Sequence, residues 1–244
     1  MQRAGHGRRL AVAAGVAALT LAGCNAPSRA EPAAGSPFPK ADRPVAEIVS
    51  PSRGPEDQRD AVEESEQLIE ALGIGPGMHV ADIGAGSGYH TVRLSPVVGP
   101  AGRVYAVDVE PRFLQGLRER VAKLNLDNVV TILGAPDDPR LPPASVDLAL
   151  LVHMYHEIES PYALLHHLAP ALRSGGKVAV VDLDRPTHLH GTPPALLRCE
   201  FAAVGWRQVS MTQLSGDVGY LAVYQPHERV RPEAIVPCKN RVRR

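Results

Sequence analysis

The chain has no net charge to speak of: 26 lysines and arginines balance 26 aspartates and glutamates over 244 residues. Without a basic excess there is no electrostatic case for nucleic acid as a partner. Cysteine is scarce. Cys24, Cys199 and Cys238 form an odd, sparse, widely spaced set, which reads as neither a disulfide framework nor a zinc site. Cys199 is expected to be packed in the last helix, and Cys238 to be exposed in a Pro- and Arg-rich tail. No internal repeat is present. Histidines are plentiful: His153 and His156 with Asp182, Asp184, His188 and His190 could compose a metal site, and the stretches 153–157 and 182–190 are expected to face each other, but no helical pair or tight chelate spacing supports a site, so no metal is expected. An apolar run over 10–21 is too short to span a bilayer comfortably.

That run is placed as an export signal would be. Arg3, Arg8 and Arg9 make a basic start, and the apolar stretch follows. It ends Leu21-Ala22-Gly23-Cys24, which resembles the lipobox of bacterial lipoproteins. The resemblance implies cleavage before Cys24 and lipid modification of its thiol, hence a cell-envelope protein anchored to the membrane. An unprocessed signal would leave it cytoplasmic. On this reading 1–23 is a signal peptide. The Pro- and Ala-rich stretch 24–55 is a disordered tether, 56–225 is the folded domain, and 226–244 is a flexible basic tail.

The folded part alternates helix and strand. Val62, Ser65, Ile69 and Leu72 fall at helical spacing, with Glu63, Glu64 and Glu66 on other faces. Strands are expected over 78–83, 103–108, 129–133, 146–152 and 177–183, then 206–211 and 220–224 as a hairpin. Helices are expected over 87–94, stopped near Pro96, and over 111–124, 161–172 and 193–204. Short apolar strands between helices are the sequence form of a parallel sheet covered on both faces. Ligands of such sheets bind beyond the carboxyl ends of the strands.

The first strand runs into Val80-Ala81-Asp82-Ile83-Gly84-Ala85-Gly86-Ser87-Gly88-Tyr89. Glycine at every second position lets backbone approach a ligand where a Cβ would collide. The helix that follows offers unpaired N–H groups and a positive dipole end. Counting from Gly84, the third glycine of a dinucleotide fingerprint would fall at Tyr89, so the pyrophosphate reading loses. The pattern resembles motif I of the class I S-adenosylmethionine-dependent methyltransferases. Asp108 ends the second strand about 20 residues later, where a carboxylate accepts from ribose hydroxyls; it also suits a helix N-cap. Asp82 would lie near the cofactor's ammonium.

Further segments extend the resemblance. Gly134-Ala135-Pro136-Asp137-Asp138 lies where the family holds adenine. Proline at 136 has no N–H to give, so Asp137 or Asp138 would meet the adenine amino group. The strand end Val152-His153-Met154-Tyr155-His156-Glu157 resembles motif IV of the quinone-type and small-molecule methyltransferases. Gly175-Gly176 resembles the family's turn before the fifth strand.

The resemblance implies a Rossmann-like, doubly wound α/β fold. Its sheet has seven mostly parallel strands and an antiparallel C-terminal hairpin. It implies a cofactor, S-adenosylmethionine, held by Asp82, Gly84, Ala85, Gly86, Gly88, Asp108, Asp137 and Asp138. It implies transfer of a methyl group to a small-molecule acceptor. His156, His153 and Tyr155 are the catalytic candidates, with His156 the preferred base because its ordinary pKa suits neutral pH. Two rivals stand beside this reading: an inactive cofactor-binding envelope lipoprotein, and a nicotinamide-dependent oxidoreductase. The first gains force from the N-terminus, since S-adenosylmethionine is a cytosolic metabolite.

Overall fold

The structure is a computed structural model that describes Gln2, 35–48 and 53–239. The signal sequence and Cys24 lie outside the described residues. Among those described, no helix is long and apolar enough to cross a membrane.

Two short helices, α1 (Glu56–Ala61) and α2 (Glu64–Leu72), precede β1 (His79–Ile83). Then come α3 (Tyr89–Val98), β2 (Arg103–Asp108), α4 (Pro111–Lys123), β3 (Val129–Leu133) and β4 (Val146–Val152). The chain ends through α5 (Pro161–Leu168), β5 (Leu172–Asp182), α6 (Pro194–Ala203), β6 (Trp206–Leu214) and β7 (Gly219–Pro226). The seven strands lie in the order β3-β2-β1-β4-β5-β7-β6. Strands β1 to β5 pair in parallel, and β7 runs antiparallel to both β5 and β6. The last two strands form the expected hairpin, with β7 inserted next to β5.

Residue alternation explains why both faces are covered. Val178 and Val180 point into one buried cluster with Tyr155, Tyr162, Phe201 and Trp206. Ala179 and Val181 point into the opposite cluster with Leu68, Leu94 and Val98. Strand side chains alternate between faces, so an unbroken apolar run is buried on both sides. Each large aliphatic side chain so buried contributes about 1.5–3 kcal/mol. The strand order reverses between the parallel strands β1 and β4, and the crevice beyond their carboxyl ends is where this sheet type takes ligands.

Four local expectations need correction. Helix α3 runs through Pro96 to Val98 instead of stopping before it. Proline lacks an N–H, but here it sits in the last turn, where one missing bond is tolerated. The first helix is two, because Glu63 takes a left-handed conformation with φ 51°. That break turns Glu64 and Ser65 inward, so neither is on a solvated face. Part of the stretch expected as a tether is packed: Arg43 and Ala46 are buried. Finally, Cys199 and Cys238 form a disulfide with Cα atoms 6.0 Å apart, and Cys238 is buried. Spacing along the chain hid this pair, because 39 residues separate cysteines that the fold makes neighbours.

Candidate functional site

The glycine loop is fixed from below by β2. Gly84 and Ala85 both donate to the Val107 carbonyl, at 2.8 and 3.0 Å. Gly84, Gly86 and Gly88 all have positive φ, at 75°, 52° and 84°, which favours glycine over residues with a Cβ. A Cβ on Gly88 would also run into Leu117 of α4, and one on Gly84 would lie 2.8 Å from Met154. Ala85 packs against Ala106, Leu114 and Leu117. Gly88 caps α3, so the N-terminus of that helix opens beside the loop.

Two carboxylates flank the loop. Asp82 is buried, and its Oδ2 accepts from the Thr91 hydroxyl at 2.6 Å. Asp108 is buried as well. Its Oδ2 accepts from the Gly86 N–H at 2.8 Å and its Oδ1 from the Glu110 N–H at 2.9 Å. Burial raises its pKa, and backbone N–H donors offset only part of that. A carboxylate has about four lone-pair sites. The N–H groups of Gly86, Glu110 and Val109 use three, which leaves room for a further hydroxyl donor. The N-cap reading of Asp108 does not hold, since Glu110 precedes α4 and Asp108 bonds to its N–H.

The loop over 134–138 closes on itself through Ala135 N–H to Asp138 O at 2.7 Å. The Asp138 carboxylate accepts from the Arg140 N–H at 2.7 Å, and the Asp137 carbonyl accepts from His167 Nδ1 at 2.7 Å. Both aspartates are half-buried.

The strand end after β4 separates its histidines. His156 is 2% exposed. Its Nδ1 lies 3.1 and 3.0 Å from the two oxygens of Asp182, the last residue of β5. Asp182 is itself buried and accepts from Leu183 N–H at 2.8 Å and Thr192 Oγ1 at 2.7 Å. A carboxylate so anchored fixes the imidazole orientation and directs Nε2 away from itself. His153 has a buried ring, and neither of its nitrogens has a hydrogen-bond partner. Burial, then the Arg53 charge, lower its pKa to about 3. Tyr155 is fully buried and stacked on Phe201 at 5.7 Å. Burial, then the Glu200 carboxylate, push its hydroxyl well above the ordinary range. These surroundings make Tyr155 a packing residue and leave His153 too weak a base for neutral pH.

A charged cluster not expected from the sequence sits beside His153. Arg59 forks onto Glu64 at 2.7 and 3.1 Å and also contacts His90 Nε2 at 2.9 Å. Glu64 also lies 3.5 Å from Arg53, and its Oε1 lies 3.9 Å from His153 Nε2. Burial alone would raise Glu64, but the His90 and Arg59 contacts hold it far below the ordinary carboxylate range. The signal that hid this cluster was the Glu-rich helix start, which reads as a solvated face.

Known proteins share this architecture. Residues 80–176 match the family model described as a methyltransferase domain. A protein-L-isoaspartate O-methyltransferase from Aeropyrum pernix is 31% identical over 139 residues, covering 54% of this chain and 50% of that protein. A ubiquinone/menaquinone biosynthesis C-methyltransferase from Shewanella pealeana is 26% identical, covering 49% of this chain and 48% of that protein. The chain thus spans about half the length of the curated relatives it matches. Among solved structures, a SAM-dependent methyltransferase from Aquifex aeolicus superposes with a TM-score of 0.63 at 24% identity. The match covers 68% of this chain and 91% of that one. The [4+2]-cyclase SpnF superposes with a TM-score of 0.60 at 14% identity, covering 79% of this chain and 89% of that one. The fold is the Rossmann-like methyltransferase fold. Residues 80–176 match a methyltransferase domain, and the cofactor these matches imply is S-adenosylmethionine. The residues fit it: Gly84, Gly86 and Gly88 keep alternate loop positions free of Cβ atoms, and Asp108 keeps acceptor capacity for a ribose hydroxyl.

Proposed function

We propose that this chain transfers a methyl group from S-adenosylmethionine to a small-molecule acceptor. The carrying observation is Asp108, buried, tied to the Gly86 N–H at 2.8 Å and still able to accept. Asp108 would hold a ribose hydroxyl, the backbone of Gly84 to Gly88 would line the amino-acid end, and Asp82 would favour the positive ammonium. Asp137 remains available to the adenine amino group, whereas Asp138 already accepts from Arg140. When bound, the cofactor supplies an electrophilic methyl group on a sulfonium. The chain's part is then to position the acceptor and exclude water. His156 is the residue we assign to the acceptor side, since Asp182 fixes its ring and leaves Nε2 for a ligand.

A small acceptor is supported by the balanced charge of the chain. One relative's name specifies a quinone pathway and another's a protein isoaspartate, so the relatives do not agree on an acceptor. Lipid anchoring at Cys24 and an envelope location belong to this proposal too. The Cys199–Cys238 disulfide supports it independently, because structural disulfides belong to oxidising compartments.

Calorimetry of the full chain with S-adenosylhomocysteine and with NAD tests the cofactor. The first should bind and the second should not. Asp108→Ala should weaken S-adenosylhomocysteine binding by about 1.5–3 kcal/mol, the scale of hydrogen bonds to a charged group. Unchanged affinity in a variant with wild-type circular dichroism removes the ribose assignment.

A further inference from the structure

Two turns meet beyond the carboxyl ends of β4 and β5. The first is the single 3-10 turn Tyr155–Glu157, and the second is the 3-10 turn Thr187–Leu189 followed by His190 in a left-handed conformation. They bring His156, Glu157 and His190 together. One ligand atom from each lies within 4.8 Å of those of the other two. The two imidazoles stand edge to face with ring centres 5.4 Å apart. His156 is buried, Glu157 half-buried and His190 exposed, so the group opens to solvent on one side.

We propose that these three residues bind a divalent transition-metal ion of the zinc type. The proposal rests on the methyl-transfer reading for its purpose, because it places the ion on the acceptor side of the same sheet edge. Three features carry it. First, two imidazoles and a carboxylate are a donor set that suits zinc, and three protein ligands leave a fourth position open. Second, His156 has the outer support that metal-bound histidines have. Its Nδ1 is held by Asp182, which fixes the tautomer and the ring orientation. Third, both turns are tied to one strap. Ala46 donates to the His156 carbonyl at 3.1 Å. Arg43 donates to the Tyr155 and Ile158 carbonyls at 3.3 and 3.2 Å. Thr187 donates to the Pro44 carbonyl at 2.6 Å. The strap therefore holds the two ligand-bearing turns in register.

Zinc–nitrogen bonds of 2.0–2.1 Å place tetrahedral ligands roughly 3.4 Å apart. For zinc to bind, the ligand atoms, now within 4.8 Å of one another, must draw in to that spacing, and exposed His190 can turn toward buried His156. The open position suits an acceptor that carries a hydroxyl or thiol, since either donor atom ligates zinc. In this role Nε2 of His156 binds the ion and is not the base expected from the sequence.

The test uses the untagged full chain, solubilised in detergent and stripped with a chelator, with zinc chloride as titrant in calorimetry. One zinc per chain should bind, and magnesium chloride should give no heat. His190→Ala, at an exposed position, should lose zinc binding by 100-fold or more while S-adenosylhomocysteine affinity stays unchanged. Asp182→Asn should weaken zinc 10–100-fold. Zinc binding that is equal in wild type and His190→Ala overturns the site, as does the absence of zinc binding in wild type. The two readings fail separately. Loss of zinc with retained S-adenosylhomocysteine binding removes only the metal. Zinc binding without S-adenosylhomocysteine binding supports the metal site and removes the methyl-transfer reading.

Discussion

His153 closes β4 with φ 53°, a conformation that histidine and asparagine adopt more readily than most residues. Its ring is buried with no hydrogen-bond partner. Burial first, then Arg53, lower its pKa to about 3. In the unfolded chain it titrates near 6.5. Between those values the unfolded chain binds a proton that the folded chain does not. Its share of stability is therefore complete above about pH 6.5 and declines as pH falls toward 3, by on the order of 1 kcal/mol per pH unit. Glu64 has the same sign lower down. Its folded pKa is depressed, so its share is present above the ordinary carboxylate value and is lost below it. Across pH 4.5 to 6.5 the shifted groups Asp108, His166 and Glu200 contribute equally to both chains, so the difference between wild type and His153→Asn isolates His153. Urea midpoints should fall more steeply with falling pH in wild type than in His153→Asn. Equal slopes would show that the ring is protonated in the folded state, and that its surroundings are wetter than described.

The order of helices and strands was legible because apolar runs of five to seven residues leave few alternatives. Val129–Leu133 and Val146–Val152 match the expected strands to the residue. The glycine loop and Asp108 were legible because their spacing is local. What stayed hidden joins residues far apart in the chain. Nothing local says that Arg43 reaches Glu200 at 2.9 Å across 157 residues or that Glu64 turns inward, whereas the meeting of His156 and His190 follows from neighbouring parallel strands that end at one sheet edge. A Pro-rich stretch reads as a tether when its one buried arginine has no visible partner. That strap makes a definite prediction. Arg43 and Glu200 have fully buried side chains. Removing one partner of such a pair costs about 3–5 kcal/mol. Burial already raises the pKa of Glu200 despite Arg43, so loss of the arginine favours protonation rather than a bare charge. Arg43→Ala should therefore fall at the lower end, about 3 kcal/mol. The double variant Arg43→Met with Glu200→Leu should recover most of it, since an apolar pair removes both charges. An Arg43→Ala midpoint equal to wild type would detach the strap from the fold.

Three segments distant in sequence converge on one side of the molecule. Cys238 is bonded to Cys199 of α6, its N–H donates to the Tyr162 hydroxyl of α5 at 2.7 Å, and Lys239 bridges to Asp42 of the strap. The stretch after β7 is thus fastened to the domain at least as far as Lys239. The disulfide closes a loop across 39 residues, and the chain-entropy account gives about 4 kcal/mol for a loop of that size. A bond worth that much needs an oxidising compartment to form, and it gives the export reading a consequence that can be measured. Chain recovered from the cell envelope should begin at a lipid-modified Cys24 by intact mass, with no free thiol at Cys199 or Cys238. Cys24→Ser should leave a longer precursor. Cys238→Ser should lose about 2–4 kcal/mol in denaturant unfolding, and a reducing agent should destabilise wild type by a similar amount without affecting that variant. Recovery of a full-length chain from the cytosol, beginning at Met1 with three free thiols, would sink the envelope location. It would also place the protein where S-adenosylmethionine is made, and the stretch after β7 would then hold to α6 without the bond.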